Sequence, residues 1–272
     1  MAMYKIYFSI IFMISAVLGY SQTKPDPNFH IYILMGQSNM AGRGAITEEY
    51  KNEQSTRLLM LNKNNSWVMA KHPLHFDKPN IVGVGPGMAF GLSMIEDAKK
   101  KIKIGLVPCA VGGTPIEDWE PNAYNKATNT HPYDDALIRI KEAMKAGIIK
   151  GILWHQGEGN SSPEKSSVYI NQLNSLILRI RNEIGDQDLP FVIGELGYYR
   201  ENYHNINKEL KKVPALIPFT ALASSEGLNH NGDGTHFDSK SASILGMRLA
   251  EKMKSLQHQS KDINRKAKST IP

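Results

Sequence analysis

Apolar and polar positions along this chain fall into two repeating patterns. Short apolar runs rich in branched and aromatic residues occupy 29–35, 57–61, 102–107, 148–154, 191–196 and 219–223. Each is predominantly apolar and shows no strict polar–apolar alternation, so they read as strands buried on both faces, the habit of a parallel sheet. Between them lie stretches with helical spacing. Met88, Leu92 and Ile95 share one face of 88–100, with Pro86 near its first position. Ala136, Leu137, Ile140 and Met144 do the same in 134–146. A longer amphipathic stretch, 166–184, closes at Gly185, and helices are also predicted over 201–212 and 239–254. The polar segment 45–56 reads as loop. The glycine-rich 79–87 lacks both the Lys-Ser/Thr and the spacing of a phosphate-binding loop.

Strands alternating with helices at crossover length predict one α/β domain, its parallel sheet covered by helices on both faces. Such a sheet gathers its ligand-binding segments at the carboxyl ends of the strands. Four segments fall there: 36–39, 112–114, 156–160 and 233–236. In the first, an apolar strand ends in Gly36, and Ser38 follows at the start of small residues able to begin a helix. A serine so placed either caps the helix or attacks a carbonyl while its own N–H holds the developing oxyanion. In the last, Asp233 precedes His236 by three residues on one tight turn. There the carboxylate can hold the ring Nδ1–H, leaving Nε2 to take a proton from Ser38. Gly112 and Gly113 offer backbone N–H groups that a ligand can approach, and Gln156 a side-chain amide. Gln37 and Asn39, beside the serine, are candidates for substrate contact. Trp119 is one for stacking on a sugar, against the alternative that it packs in the core. His155, Glu158, His230 and Asp233 lack the helical spacing of a zinc motif, so no metal is expected, and no cofactor.

The net charge of +6 comes from 32 basic and 26 acidic residues. Much of the excess lies in Lys252, Lys254, Lys261, Arg265, Lys266 and Lys268, and no aromatic follows Phe237. Nucleic-acid binding wants aromatics interleaved with the basic residues, so 257–272 reads instead as a solvated, mobile basic tail. Residues 1–21 read as a secretion signal. Lys5 is followed by an apolar 6–18 and by small Gly19 and Ser21 at a plausible cleavage pair. The apolar run is short for a spanning helix, so an exported protein with no stable membrane association is expected. The single cysteine, Cys109, permits no internal disulfide and reads as a small buried residue.

Taken jointly, Gly-Gln-Ser-Asn-Met-Ala-Gly at 36–42, Gly-Gly-Thr at 112–114, His-Gln-Gly-Glu at 155–158 and Asp-Gly-Thr-His at 233–236 resemble the SGNH-hydrolase superfamily. Within it the chain is most similar to the sialate O-acetylesterase-like group that includes carbohydrate esterase family 6, the acetylxylan esterases. The likeness spans 31–249, inside a predicted domain of 22–256, and 73–75 and 83–87 share in it. It implies a flavodoxin-like three-layer α/β/α sandwich with a mainly parallel sheet. It also implies a secreted serine esterase that deacetylates a polysaccharide such as acetylxylan. By position Ser38 is the nucleophile, His236 the base and Asp233 its acid, with Gly112 or Gly113 and Gln156 joining the Ser38 N–H as oxyanion donors. The third motif departs from the superfamily pattern, reading Gln156-Gly157-Glu158 where an asparagine is usual. Some members of this esterase group use that glutamate, so Glu158 competes with Asp233. Met40 breaks the Gly-x-Ser-x-Gly elbow of α/β-hydrolases. A sialic acid O-acetylesterase and a non-catalytic carbohydrate-binding protein are the alternatives.

Overall fold

The computed structural model describes residues 24–269, with side chains through Gln259; the predicted leader 1–21 therefore lies outside the described residues. The six apolar runs become strands as expected, and a short strand that their pattern did not predict, β3, joins them: β1 (Asp26–Gly36), β2 (Leu58–Leu61), β3 (Trp67–Met69), β4 (Lys103–Pro108), β5 (Gly147–His155), β6 (Phe191–Gly194) and β7 (Thr220–Ala223). They form one sheet in the order β3-β2-β4-β1-β5-β6-β7, parallel except for β3, which turns back on β2. Without the β2–β3 hairpin, the five core strands follow the flavodoxin-like order 2-1-3-4-5 when numbered along the chain, whose ligand crevice opens between strands 1 and 3. Here that crevice lies between the carboxyl ends of β1 and β5.

The continuous apolar reading of β1 follows from a pleat buried on both sides. Ile31, Ile33 and Met35 enter one core with Ile152, Trp154, Phe191 and Ile193; Tyr32 and Leu34 enter the other with Leu106, Leu153 and Val192. The first core is covered by α4 (Pro132–Met144), α5 (Pro163–Ile184) and α6 (Tyr203–Leu210), the second by α3 (Pro86–Glu96) and α8 (Ser239–Ser269). Three layers result. Single turns α1 (Ser38–Ala41), α2 (Glu48–Lys51) and α7 (Val213–Leu216) complete the set.

Differences from expectation have local causes. Helix α3 stops at Glu96, where the Arg57 guanidinium donates to the carbonyls of Ile95 and Lys99 and satisfies the helix end. The predicted helix 201–212 forms as α6, and a separate turn that was not predicted, α7, follows it with Pro214 near its start. Helix α8 runs to Ser269, well past the predicted end at Lys254. Residues 247–269 contain no Gly or Pro and are rich in strong helix formers, so nothing in them ends the helix. Cys109 is buried, and desolvation pushes its thiol up to about 11, as expected of an inert packing residue.

Candidate active site

Strand β1 delivers the serine. Gly36, the last residue of β1, pairs with His155 of β5, and Gln37 N–H donates to the His155 carbonyl at 2.9 Å. The backbone at Gly36 has φ +124°, and a Cβ there would lie 2.1 Å from the His155 carbonyl oxygen. Only glycine lets β1 turn so close to β5. The chain then enters α1 with Ser38 as its first residue, 7% exposed. One turn aligns few peptide dipoles, so the donor here is the Ser38 N–H itself, which has no hydrogen-bond partner among the described residues.

The turn after His230 carries the candidate base. Ser38 Oγ and His236 Nε2 are 2.9 Å apart, and His236 Nδ1 is 2.6 Å from Asp233 Oδ2. Asp233 Oδ1 also accepts the N–H groups of Thr235 and His236, each at 2.8 Å. One carboxylate thus shapes the turn and orients the ring. Desolvation raises the Asp233 carboxyl, but the His236 N–H and ring and the Thr235 N–H outweigh it and hold it down to about 2. Asp233 is therefore a carboxylate across the neutral range. His230 buttresses the turn, its Nδ1 accepting from Gly232 and Gly234.

The two glycines after β4 separate in role. Gly112 N–H donates to Asp77 Oδ2 at 2.8 Å, which removes it from the expected oxyanion donors. The same oxygen accepts from Arg43 Nη2 at 2.8 Å, in an ion pair whose side chains are 5% and 2% exposed. Gly113, at φ +91°, keeps its N–H unpartnered among the described residues. This loop packs directly on the candidate nucleophile: a Cβ added to Gly112 would lie 3.4 Å from Ser38 Cβ. Ser38 and Gly113 are thus the backbone donors left for an oxyanion.

Several expected site residues are committed elsewhere. Gln156 is fully buried; its Nε2 faces Gln37 Oε1, the Thr114 carbonyl and Asn160 Oδ1, and its Oε1 accepts from Tyr169. With every amide group engaged, it is a strut under the site and not an oxyanion donor. Gln37, bonded to it, is also buried. Trp119 is fully buried, edge-on to Trp154, with its N–H on Thr114 Oγ1. It cannot stack on a sugar. Asn39 points into the protein, donating to Glu158 Oε1 (2.8 Å) and the Thr235 carbonyl (3.1 Å) and accepting from Phe237 N–H (3.0 Å). It offers nothing to a substrate.

Of the two candidate acids, Glu158 meets Asn39, whereas Asp233 meets the His236 ring. Burial pushes the Glu158 carboxyl up to about 7, against the hydrogen bond from Asn39 that favours the ionised form. His155, once weighed as a metal ligand, is buried against the Glu195 carbonyl, and desolvation lowers it to about 4. Sequence reasoning missed Arg43 and Asp77. Each is a single charged residue in a loop, and no local pattern announces their pairing.

A family model described as carbohydrate esterase, sialic acid-specific acetylesterase, matches residues 28–255. The chain is 31% identical over 248 residues to a probable carbohydrate esterase of Arabidopsis thaliana, with 84% of this chain and 91% of the relative covered. The crystal structure of that plant protein superposes with a TM-score of 0.76 at 29% identity, covering 85% of this chain and 99% of that one. The structure of NanS shares the fold, with a TM-score of 0.67 at 16% identity over 87% of this chain and 99% of its own.

Proposed function

The chain belongs to the carbohydrate esterase, sialic acid-specific acetylesterase family, and from that premise we propose that it removes acetyl groups from a carbohydrate through an acyl-enzyme on Ser38. One observation carries the reading: a serine hydroxyl, an imidazole and a carboxylate in unbroken hydrogen-bond contact at the crevice between β1 and β5. His236 Nε2 takes the Ser38 proton as Oγ bonds to the acetyl carbonyl carbon. Negative charge gathers on the carbonyl oxygen, opposite the N–H groups of Ser38 and Gly113. The carbon–oxygen bond to the sugar breaks, and the imidazolium returns the proton to the departing hydroxyl. Water, deprotonated by the same ring, then releases acetate. Asp233 keeps Nδ1 protonated and offsets the positive charge of the imidazolium.

The substrate we favour is an acetylated polysaccharide such as xylan, handled by an exported enzyme whose leader is the apolar segment after Lys5. Sialic acid is the second reading, supported by the description of the matching family model. A purely binding role is disfavoured because it has no use for an assembled triad. Acetate release from a panel of acetylated xylan, acetylated sialic acid and simple sugar acetates tests the proposal. Faster turnover of xylan supports the first reading and faster turnover of sialic acid the second. Failure to release acetate from any sugar, with activity on an aryl acetate intact, would overturn the carbohydrate assignment.

A further inference from the structure

The base and the nucleophile reach each other across 198 residues of sequence, and beside their own hydrogen bond a second contact ties the backbone around the base to the nucleophile's turn. It runs through Asn39. Its Nδ2 donates to the Thr235 carbonyl and its Oδ1 accepts from Phe237 N–H, the peptide groups on either side of His236. Its second amide hydrogen goes to Glu158 Oε1, on the turn that leaves β5. Asn39 is buried and adjacent to Ser38, so one planar amide ties the nucleophile's turn, the histidine's backbone and the β5 turn into a single unit.

We propose that Asn39 and Glu158 form a positioning pair, in which Glu158 fixes the Asn39 amide and the amide holds the His236 backbone so that Nε2 stays within reach of Ser38 Oγ. This deepens the proposed function and rests on its assignment of Ser38 and His236. The carboxyl oxygen Oε1 matters because of orientation. With Oε1 accepting, a flipped amide would set Oδ1 against both Glu158 and the Thr235 carbonyl, oxygen facing oxygen, and leave Phe237 N–H opposite a donor. Tyr199 Oη also donates to the Thr235 carbonyl, at 2.9 Å, so the turn keeps a second tether when Asn39 is altered. Loss of the pair therefore displaces the ring without unfolding the turn. A displacement of about 1 Å in a reacting group costs about 100-fold in rate. Among the described residues Glu158 makes no hydrogen bond to His236 or Ser38, and its second oxygen, Oε2, is buried without a hydrogen-bond partner. It acts on the reaction only through Asn39.

The test measures kcat and KM on an aryl acetate for Asn39→Asp, Glu158→Leu, Glu158→Gln and Asp233→Asn, with Ser38→Ala as control and thermal melting to verify folding. Asn39→Asp removes both donors at constant shape, and Glu158→Leu removes the acceptor. Each should lower kcat about 100-fold while KM moves less than about threefold. Glu158→Gln keeps an oxygen that can accept from Asn39, so it should recover most of the loss and stay within about tenfold of wild type. Asp233→Asn, which touches the ring, should be far worse than Glu158→Gln. If Glu158→Gln is as damaging as Asp233→Asn, Glu158 is the acid and the positioning pair is wrong. If folded Asn39→Asp and Glu158→Leu melt earlier yet keep kcat, the contacts are merely structural and the proposal also fails. Wild-type turnover by Ser38→Ala would overturn the serine reading instead, independently of these ratios.

Discussion

Deleting the carboxylate of Asp77 strands a guanidinium inside the protein. Arg43 and Asp77 are almost wholly shielded from water, and Asp77 Oδ2 serves both Arg43 Nη2 and the Gly112 N–H at 2.8 Å. Removing one member of such a pair costs about 3–5 kcal/mol, because the remaining charge has lost its partner and cannot regain its hydration. At about 2–4 °C per kcal/mol for a domain of this size, Asp77→Ala should melt roughly 6–20 °C below wild type at pH 7. Replacing both residues with apolar ones, Arg43→Met with Asp77→Leu, removes the stranded charge and should recover most of the loss. The pH dependence has a definite sign. Desolvation raises the Asp77 carboxyl, but Arg43 outweighs it and the net shift is downward. The ion pair therefore stabilises the fold above the unfolded carboxylate range near ~4 and fades as pH falls through the lower folded value. Urea melts of wild type and Asp77→Ala at pH 7 and pH 3 should show a gap that narrows in acid. Because Gly112 leads into Gly113, kcat should fall along with stability. A melting point within about 2 °C of wild type, a gap that holds in acid, or a double variant as unstable as Asp77→Ala would refute the reasoning.

Three further outcomes follow from the packing around the site. Gly36→Ala puts a methyl 2.1 Å from the His155 carbonyl oxygen at positive φ, so it should lose about 3 kcal/mol or fail to accumulate as folded protein; normal urea stability would contradict that. Trp119→Ala should cost about 3–5 kcal/mol as a core cavity and leave KM for the sugar unchanged in folded protein, whereas a raised KM with normal stability would restore a stacking role. Glu158 holds its proton in the folded state until about pH 7, later than in the unfolded chain, so wild-type stability declines as pH rises from ~4.5 through 7. Glu158→Gln, which cannot ionise, should gain stability over wild type across that window, by at most about 3 kcal/mol, and a gain independent of pH would count against a protonated carboxyl there.

Much of this architecture was legible along the chain because β1, β4, β5 and β6 are largely buried on both faces and announce themselves as predominantly apolar runs without strict alternation. Ser38 and His236 were legible for a different reason. Each follows a glycine-bearing turn at a strand end, where a parallel sheet collects its ligand contacts. What stayed hidden was how neighbouring polar groups divide the work. Nothing local says that Gly112 spends its N–H on Asp77 while Gly113 keeps its own free, since the deciding carboxylate lies 35 residues away. Asn39 and Gln156 carry the same amide as any oxyanion donor, and only the fold reveals that their hydrogens are already taken. Trp119 sits beside the glycine loop in sequence, yet the Ile116–Trp119 turn swings it under the sheet against Trp154. The reach of α8 was misjudged because charge suggested a tail, although the same lysines and arginines favour helix.

The central claim is that Ser38 carries the acetyl group between its two owners. Rapid quenching of an aryl acetate reaction, followed by proteolysis and mass spectrometry, locates that group directly. Acetyl on the Ser38 side chain of wild type, with none on the matching peptide of Ser38→Ala and turnover abolished, is the expected result. Acetyl on another residue, or wild-type turnover by Ser38→Ala, would contradict it.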